Sequence, residues 1–136
     1  MPVDPREIDI WYRIAAEDVV TARYLHEGGI YHTAIFWCQQ AVEKGLKALY
    51  MAERGQMFPL THALLKLADA TTFPRDRFDF LRELATKYTE TRYPIFPTEP
   101  PSEMYDAPYS LSIIQQTEEC LKWIQDRLQQ ANLLRS

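Results

Sequence analysis

The stretch FWCQQAVEKGLKALY, residues 36–50, decides the fold class because it has the pattern of a long helix with two different faces. Helix-favouring residues fill it and no proline interrupts it, which predicts a helix from about Tyr31 to Arg54, ended by Gly55. One face carries only small side chains at alternating spacings of four and three residues: Ala34, Cys38, Ala41, Gly45, Ala48 and Ala52. A neighbouring helix can pack closely on such a face, so we interpret this helix as the centre of a helical core. A dimer seam on the same face is the alternative.

Three other helices are expected before residue 94. Asp4 predicts the N-cap of a first helix that ends at Gly28-Gly29. Thr61 is the expected N-cap of a short third helix, which places His62 in its first turn. A fourth helix is expected from about Asp76 to Arg92, and its apolar spacing directs the Arg92 side chain inward or along a groove.

A proline-rich acidic loop precedes the last helix. Residues 94–108 contain five of the nine prolines, together with Glu99, Glu103 and Asp106. A fifth helix is expected from about Pro108 to Leu133. Five helices without a strand candidate predict an all-α fold, an up-and-down antiparallel bundle that forms a single domain over residues 1–136.

Composition limits the classes of function. The formal net charge of -4 argues against a protein that coats nucleic acid by bulk charge, and leaves room only for a local basic patch. Cys38 and Cys120 lie in apolar helical patterns, which indicates buried thiols in a reducing cytosol. The start MPVDPREIDIW has no signal-peptide pattern, and no apolar run approaches the ~20 residues of a membrane span. We therefore expect a cytoplasmic protein without membrane contact.

Catalytic and metal-binding templates are absent from the sequence. It has no glycine-rich phosphate loop and no His-Glu-x-x-His helix. His26, His32 and His62 lack clustered carboxylate or thiol partners in the sequence, so each is interpreted as structural or solvated. No metal site and no cofactor are predicted.

Three stretches together carry a family resemblance. They are AEDVVTARYLHEGGIYHTAIFWCQQAVEKGLKALY (residues 16–50), LTHALLKL (60–67) and YTETRYP (88–94). The pattern Gln-Gln-Ala-x-Glu-Lys-x-x-Lys-Ala, then Thr-His, then Arg-Tyr-Pro, resembles the HEPN domain family. The resemblance implies a bundle of four to five helices, a homodimer, and a small nucleotidyltransferase as partner. It also implies that ribonuclease activity without a metal is common among the relatives, including toxins of toxin-antitoxin pairs.

The sequence departs from the nuclease members of that family, which carry a histidine four to six residues after an arginine near the fourth helix. No histidine follows Arg92, and seven residues separate Arg54 from His62. Whether the chain is an enzyme stays open. The leading hypothesis is a nucleotide- or RNA-binding regulatory module that works with a nucleotidyltransferase in a toxin-antitoxin-type pair.

Two other hypotheses remain. One is a metal-independent ribonuclease toxin with a degenerate active site, in which Arg92 works with Tyr93, Glu43 or His62. The other is a purely structural protein-interaction domain, which would use the acidic loop and exposed aromatic residues such as Trp37, Trp123 or Tyr105.

The resemblance also implies a shared cleft between the second helix and the end of the fourth, which suits a phosphate-bearing ligand. The candidate ligand-binding residues are Gln40, Glu43, Lys44, Lys47, His62, Arg92 and Tyr93. The competing interpretation is structural. In that interpretation Glu43 and Lys47 form an i,i+4 pair, Lys44 is solvated, and Arg92 forms an ion pair that links helices or seals a dimer.

Overall fold

The computed structural model describes residues 2–135 as an all-α bundle of five helices. The helices are α1 (Pro5–Glu27), α2 (Tyr31–Arg54), α3 (Leu64–Asp69), α4 (Phe78–Glu90) and α5 (Ala107–Gln130). Short 3-10 turns cover Arg75–Arg77 and Pro101–Glu103. The described residues contain no strand beyond an isolated bridge between Pro2 and Gln56. The predicted fold class is confirmed.

The ends of α1 and α2 lie where the capping residues predict them. The Asp4 side chain accepts a hydrogen bond from the Arg6 backbone N–H at 2.9 Å, so it caps the first turn of α1. Gly28 follows the last residue of α1, and Gly29 takes a positive φ of 79° that starts the turn into α2. Gly55 ends α2 in the left-handed conformation, with a φ of 66°.

The small-residue face of α2 is packed inside the chain. A Cβ atom at Gly45 would lie 2.6 Å from Leu121 Cδ2 and 3.3 Å from Ile124 Cδ1, both on α5. Ala15 of α1 approaches the same position from another side. The face therefore brings α1 and α5 close to α2, which confirms the core-helix interpretation and makes the dimer-seam alternative wrong.

The predicted start of α3 is wrong by two residues. The Thr61 hydroxyl accepts a hydrogen bond from the Ala63 N–H at 3.1 Å, so it closes a turn that precedes the helix. Ala63 is the N-cap, and it makes no side-chain capping bond. His62 consequently lies in the loop before α3 and not in its first turn.

The predicted span of α4 also needs correction. A 3-10 turn occupies residues 75–77, so the α-helix begins at Phe78 and not at Asp76. It ends at Glu90. The Arg92 N–H beyond it bonds to the Thr89 carbonyl at 3.0 Å, three residues back, and Pro94 disfavours helical geometry at Tyr93. Arg92 lies in the following turn with its side chain exposed, and it does not point inward.

The last helix is shifted slightly from its predicted bounds. Asp106 is the N-cap, and its side chain accepts from the Tyr109 N–H at 2.9 Å. The helix ends at Gln130, three residues early, because Asn132 takes a positive φ of 56° and the Leu133 N–H bonds back to the Leu128 carbonyl.

Several side chains lie at a different depth from the one expected. Trp37, Trp123 and Tyr105 are partly buried against the core and are not exposed aromatics. Cys38 and Cys120 are buried free thiols, as predicted, and burial raises the pKa of each to about 12.

Across residues 2–135 we find no helix with the length and apolar character needed to cross a membrane.

Candidate functional site

A buried carboxylate on α2 organises the polar side chains of the site. Glu43 is only 3% exposed. Its Oε1 accepts from Gln39 Nε2 at 3.3 Å, and its Oε2 accepts from Lys47 Nζ at 3.0 Å. Gln39, Glu43 and Lys47 recur every four residues, which places them in a row on one face of the helix. The same Oε2 lies 3.1 Å from Nδ1 of His62, in the loop before α3.

The protonation state of Glu43 fixes the tautomer of His62. Burial raises the pKa of the Glu43 carboxyl, but hydrogen bonds from His62, Lys47 and Gln39 outweigh burial and bring the pKa below its ordinary value. The carboxylate is therefore ionised and can only accept hydrogen bonds. Nδ1 of His62 must then carry a hydrogen, and in the neutral ring Nε2 is left as the acceptor.

Lys47 is enclosed by the protein. Its Nζ lies 4.8 Å from the ring centroid of Phe58 and 5.6 Å from that of Trp11, in addition to its bond with Glu43. The two rings contact each other edge to face, with centroids 5.0 Å apart. The side chain is 9% exposed, so the geometry favours the structural interpretation of the Glu43–Lys47 pair.

Arg92 lies against aromatic rings at the surface. Its Cζ is 4.2 Å from the ring centroid of Tyr88 and 5.2 Å from that of Phe36. Its Nε–H donates to the Tyr88 carbonyl at 2.7 Å, which holds the guanidinium in place. Within residues 2–135 no carboxylate lies within 4.0 Å of this guanidinium, so the ion pair expected to link helices is absent from the described part of the chain.

Tyr88 connects His62 to Arg92. The His62 ring stacks on the Tyr88 ring with centroids 5.8 Å apart and an angle of 16° between the planes. Since Arg92 contacts the same ring, the loop before α3 and the turn after α4 meet over one aromatic residue of α4. We call the group formed by Phe36, His62, Tyr88, Arg92 and Tyr93 the Arg92 surface. Tyr93 belongs to it because its exposed ring lies 5.6 Å from Arg92 Cζ.

The two remaining candidates have partners inside the protein. Gln40 Nε2 donates to Gln39 Oε1 at 2.7 Å. Lys44 is not solvated as expected, because its Nζ bonds to Asp18 Oδ2 at 2.6 Å and lies 5.7 Å from the Trp37 ring centroid. Burial raises the pKa of the Asp18 carboxyl even though Lys44 acts in the opposite direction.

Comparison with known proteins identifies the family. The family model described as HEPN domain matches residues 8–128. The chain belongs to the HEPN family. None of the curated protein sequences matches the chain significantly.

Two solved structures resemble this HEPN chain along most of its length. One is ST0689, described as an archaeal HEPN homologue, with a TM-score of 0.76 and 28% identity over 89% of this chain and 97% of that one. The other is TT1696 from Thermus thermophilus, with a TM-score of 0.81 and 27% identity over 89% of this chain and 98% of that one. Both support the same helical fold.

Within this HEPN fold, the contact between His62 and Glu43 is what sequence reasoning missed. Nothing in the sequence paired His62 with a carboxylate, and in the structure Glu43 Oε2 lies 3.1 Å from its Nδ1. The two residues are separated by 19 positions and by a loop of irregular path, so no local pattern joins them. Sequence reasoning also missed Tyr88 as the shared contact, although its spacing of four residues from Arg92 is visible in the sequence.

The other histidines have different surroundings. His26 Nδ1 lies 2.9 Å from the Ser110 hydroxyl, which links the end of α1 to the start of α5. His32 belongs to the first turn of α2 and borders a small cavity with Arg92. Among residues 2–135 no three His, Cys, Asp or Glu side chains are grouped so that they could hold a metal ion.

Proposed function

We propose that this HEPN domain binds a nucleotide or a short stretch of RNA at the Arg92 surface. The observation that carries the proposal is the guanidinium of Arg92, which lies on aromatic rings and has no carboxylate partner within the described residues. A guanidinium in this state can donate to phosphate oxygens, and exposed rings can stack on bases. The Tyr93 ring is 60% exposed, so it is open to such stacking.

Charge limits the size of the ligand. The chain has a net charge of -4, so phosphate contacts must be few and local. The ammonium groups of Lys44 and Lys47 are already bonded to Asp18 and Glu43. In our proposal Arg92, Tyr93 and His62 contact the ligand, whereas Glu43 positions His62 and Lys47 holds Glu43. Lys44 and Gln40 are bonded to other side chains and do not contact the ligand.

A binding assay with a matched control tests this proposal. The probes are a fluorescent short RNA and labelled ATP, each titrated with the wild type, Arg92→Ala and Arg82→Ala. Arg82 is also an exposed arginine, on α4, and pairs with Asp79. Because a hydrogen bond to a charged group contributes about 1.5–3 kcal/mol, Arg92→Ala should lose about 10- to 100-fold in affinity and Arg82→Ala almost none. Equal binding by the wild type and Arg92→Ala would contradict the proposal.

We also propose that the domain works as a homodimer with a nucleotidyltransferase partner, in a toxin-antitoxin-type pair. Membership of the HEPN family and the resemblance of its motifs support this part of the proposal. Light scattering of the purified protein tests the dimer, and a single monomer mass across micromolar concentrations would reject it. Co-expression with a small nucleotidyltransferase partner tests the pair. Expression of the chain alone should arrest growth, and the partner should relieve that arrest.

A second candidate function is metal-independent cleavage of RNA. The specific observation in its favour is the position of His62, whose Nε2 is the acceptor nitrogen while its ring shares Tyr88 with Arg92. In this reaction Nε2 accepts the 2′-hydroxyl proton, the 2′-oxygen attacks the adjacent phosphorus, and the 5′-oxygen leaves with a proton from water. General base catalysis of this kind contributes about 100- to 10,000-fold to a rate.

The test of cleavage is an incubation of transfer RNA in chelator with the wild type, His62→Gln and Arg92→Ala. Products ending in a 2′,3′-cyclic phosphate, formed by the wild type and lost in both variants, are the expected result. Retention of RNA without cleavage by the wild type would support binding alone.

A further inference from the structure

A small cavity adjoins the Arg92 surface, because Arg92 is one of its lining residues. It has a volume of about 290 Å³ and lies between the first turn of α2, the turn after α4 and the 3-10 turn at Pro101–Glu103. Arg92 lines it together with His32, Thr33 and Ser102, while Pro100 and Pro101 form a wall. The same guanidinium therefore borders both the aromatic rings and this cavity.

The chemistry of the lining suits an anion. Arg92 offers guanidinium N–H groups, His32 offers a ring nitrogen, and Thr33 and Ser102 offer hydroxyls. The lining contains no carboxylate, although Glu99 and Glu103 are nearby in the sequence. The remaining hydroxyl, that of Thr91, is already used, because it donates to the Lys87 carbonyl at 2.6 Å. Since α2 begins beside the cavity, its dipole also has the sign that favours negative charge there.

The size of the cavity indicates which part of a ligand it can hold. Sites for whole small molecules usually measure about 300–1,000 Å³. A cavity of about 290 Å³ is at the lower limit of that range, so it suits a single group better than a nucleotide. A phosphate monoester carries about -1.5 to -2 charges and three acceptor oxygens, which matches a lining with several donors. An internal phosphodiester has less charge and fewer free oxygens.

We infer that this cavity is a subsite for a terminal phosphate, which it takes from the 5′ end of a nucleotide or RNA whose base stacks on the Arg92 surface. The inference rests on the proposed nucleotide- or RNA-binding function. It adds His32, Thr33 and Ser102 to the residues that contact the ligand, and it makes the 5′-phosphorylation state a determinant of affinity. Arg92 holds the phosphate from one side while its face packs on the Tyr88 ring.

The experiment compares two RNA decamers of one sequence, labelled at the 3′ end, that carry either a 5′-phosphate or a 5′-hydroxyl. Adenosine 5′-monophosphate and adenosine, used as competitors, form a second pair that distinguishes a free nucleotide from an RNA end. The variants are Thr33→Val and Ser102→Ala. Thr98→Val is the matched control, because Thr98 is an exposed loop threonine outside the lining. Arg92→Ala is not used, since Arg92 belongs to both the surface and the cavity.

The wild type is expected to bind the phosphorylated RNA at least tenfold more tightly, as for one charge-assisted hydrogen bond. The preference should fall to less than about threefold in Thr33→Val and Ser102→Ala while the affinity for the 5′-hydroxyl RNA stays unchanged, and Thr98→Val should keep the preference. Equal affinity of the wild type for both RNAs and for both competitors overturns the inference but leaves the proposed function intact. If the wild type binds none of these four molecules, both the inference and the proposed function are overturned.

Discussion

Replacing Lys47 with methionine tests whether the enclosed ion pair on α2 stabilises the fold. The ammonium of Lys47 lies 3.0 Å from Glu43 Oε2, and the two side chains are 9% and 5% exposed. Methionine keeps the apolar stem between Trp11 and Phe58 but removes the charge. The variant therefore leaves a buried carboxylate with hydrogen bonds from His62 and Gln39 alone.

The loss of stability should be large, because removing one partner of a buried pair typically costs about 3–5 kcal/mol. For a chain of this size, 1 kcal/mol corresponds to about 4 °C, so the melting temperature should fall by about 12–20 °C. The loss should become smaller as the pH falls, since protonation of Glu43 removes the uncompensated charge.

The assay is urea unfolding of the wild type and Lys47→Met, followed by circular dichroism at about 222 nm, where helical backbone absorbs. Lys122→Met is the matched control, because Lys122 and Asp126 form the same i,i+4 pair at 2.9 Å with side chains that are 67% and 48% exposed. That variant should lose less than about 0.5 kcal/mol. A loss below about 1 kcal/mol in Lys47→Met would refute the reasoning, because it would place the pair among ordinary surface pairs.

Three other predictions concern the core and the buried groups. Gly45→Val should destabilise the protein by about 1–3 kcal/mol or more in urea unfolding, because a Cβ alone would already lie 2.6 Å from Leu121 Cδ2; unchanged stability would mean that α5 moves away freely. Cys38 and Cys120 should not react with a thiol reagent at about pH 8 until denaturant is added, since burial raises both pKa values to about 12; two thiols titrated in the native protein would contradict this burial. Folding lowers the pKa of Glu43 from its ordinary value of 4.5. The ionised carboxylate should therefore contribute fully to stability above that pH, and this contribution should be lost as the pH falls through the lower pKa of the folded protein. The stability difference between the wild type and Glu43→Gln should therefore shrink in acid, and a difference that does not change between about pH 7 and 3 would be the opposite result.

The parts of the fold that sequence predicts well are those with local causes. Asp4, Gly28 and Gly55 fix helix ends through hydrogen bonds and backbone angles within a few residues, and α1 and α2 begin and end as predicted. The small-residue face of α2 also predicts close packing directly, because small side chains on one helix allow close approach whichever helix packs against them. Thr61 shows where local prediction fails. The same hydroxyl can cap a helix or close a turn, and which of the two it does depends on the path of the following loop.

The site is harder to predict because its contacts join distant segments. Helical spacing places Glu43 and Lys47 on one polar stripe, and a polar stripe suggests exposure. Phe58 and His62 come from the loop after α2 and cover that stripe, which no periodicity in α2 can show. A motif singles out Arg92, but the expected carboxylate partner is replaced in the structure by an aromatic ring.

The polar stripe of α2 and the Arg92 surface are best understood as two layers of one structure. In the inner layer, hydrogen bonds from His62, Lys47 and Gln39 keep Glu43 ionised although it is buried. The ionised Glu43 then holds His62 through Nδ1, which stacks the imidazole on Tyr88 and turns its other nitrogen into the acceptor. Tyr88 in turn supports Arg92 from below. Substitutions in the inner layer should therefore change stability and ligand affinity together, whereas those of Arg92 and Tyr93 should change affinity alone.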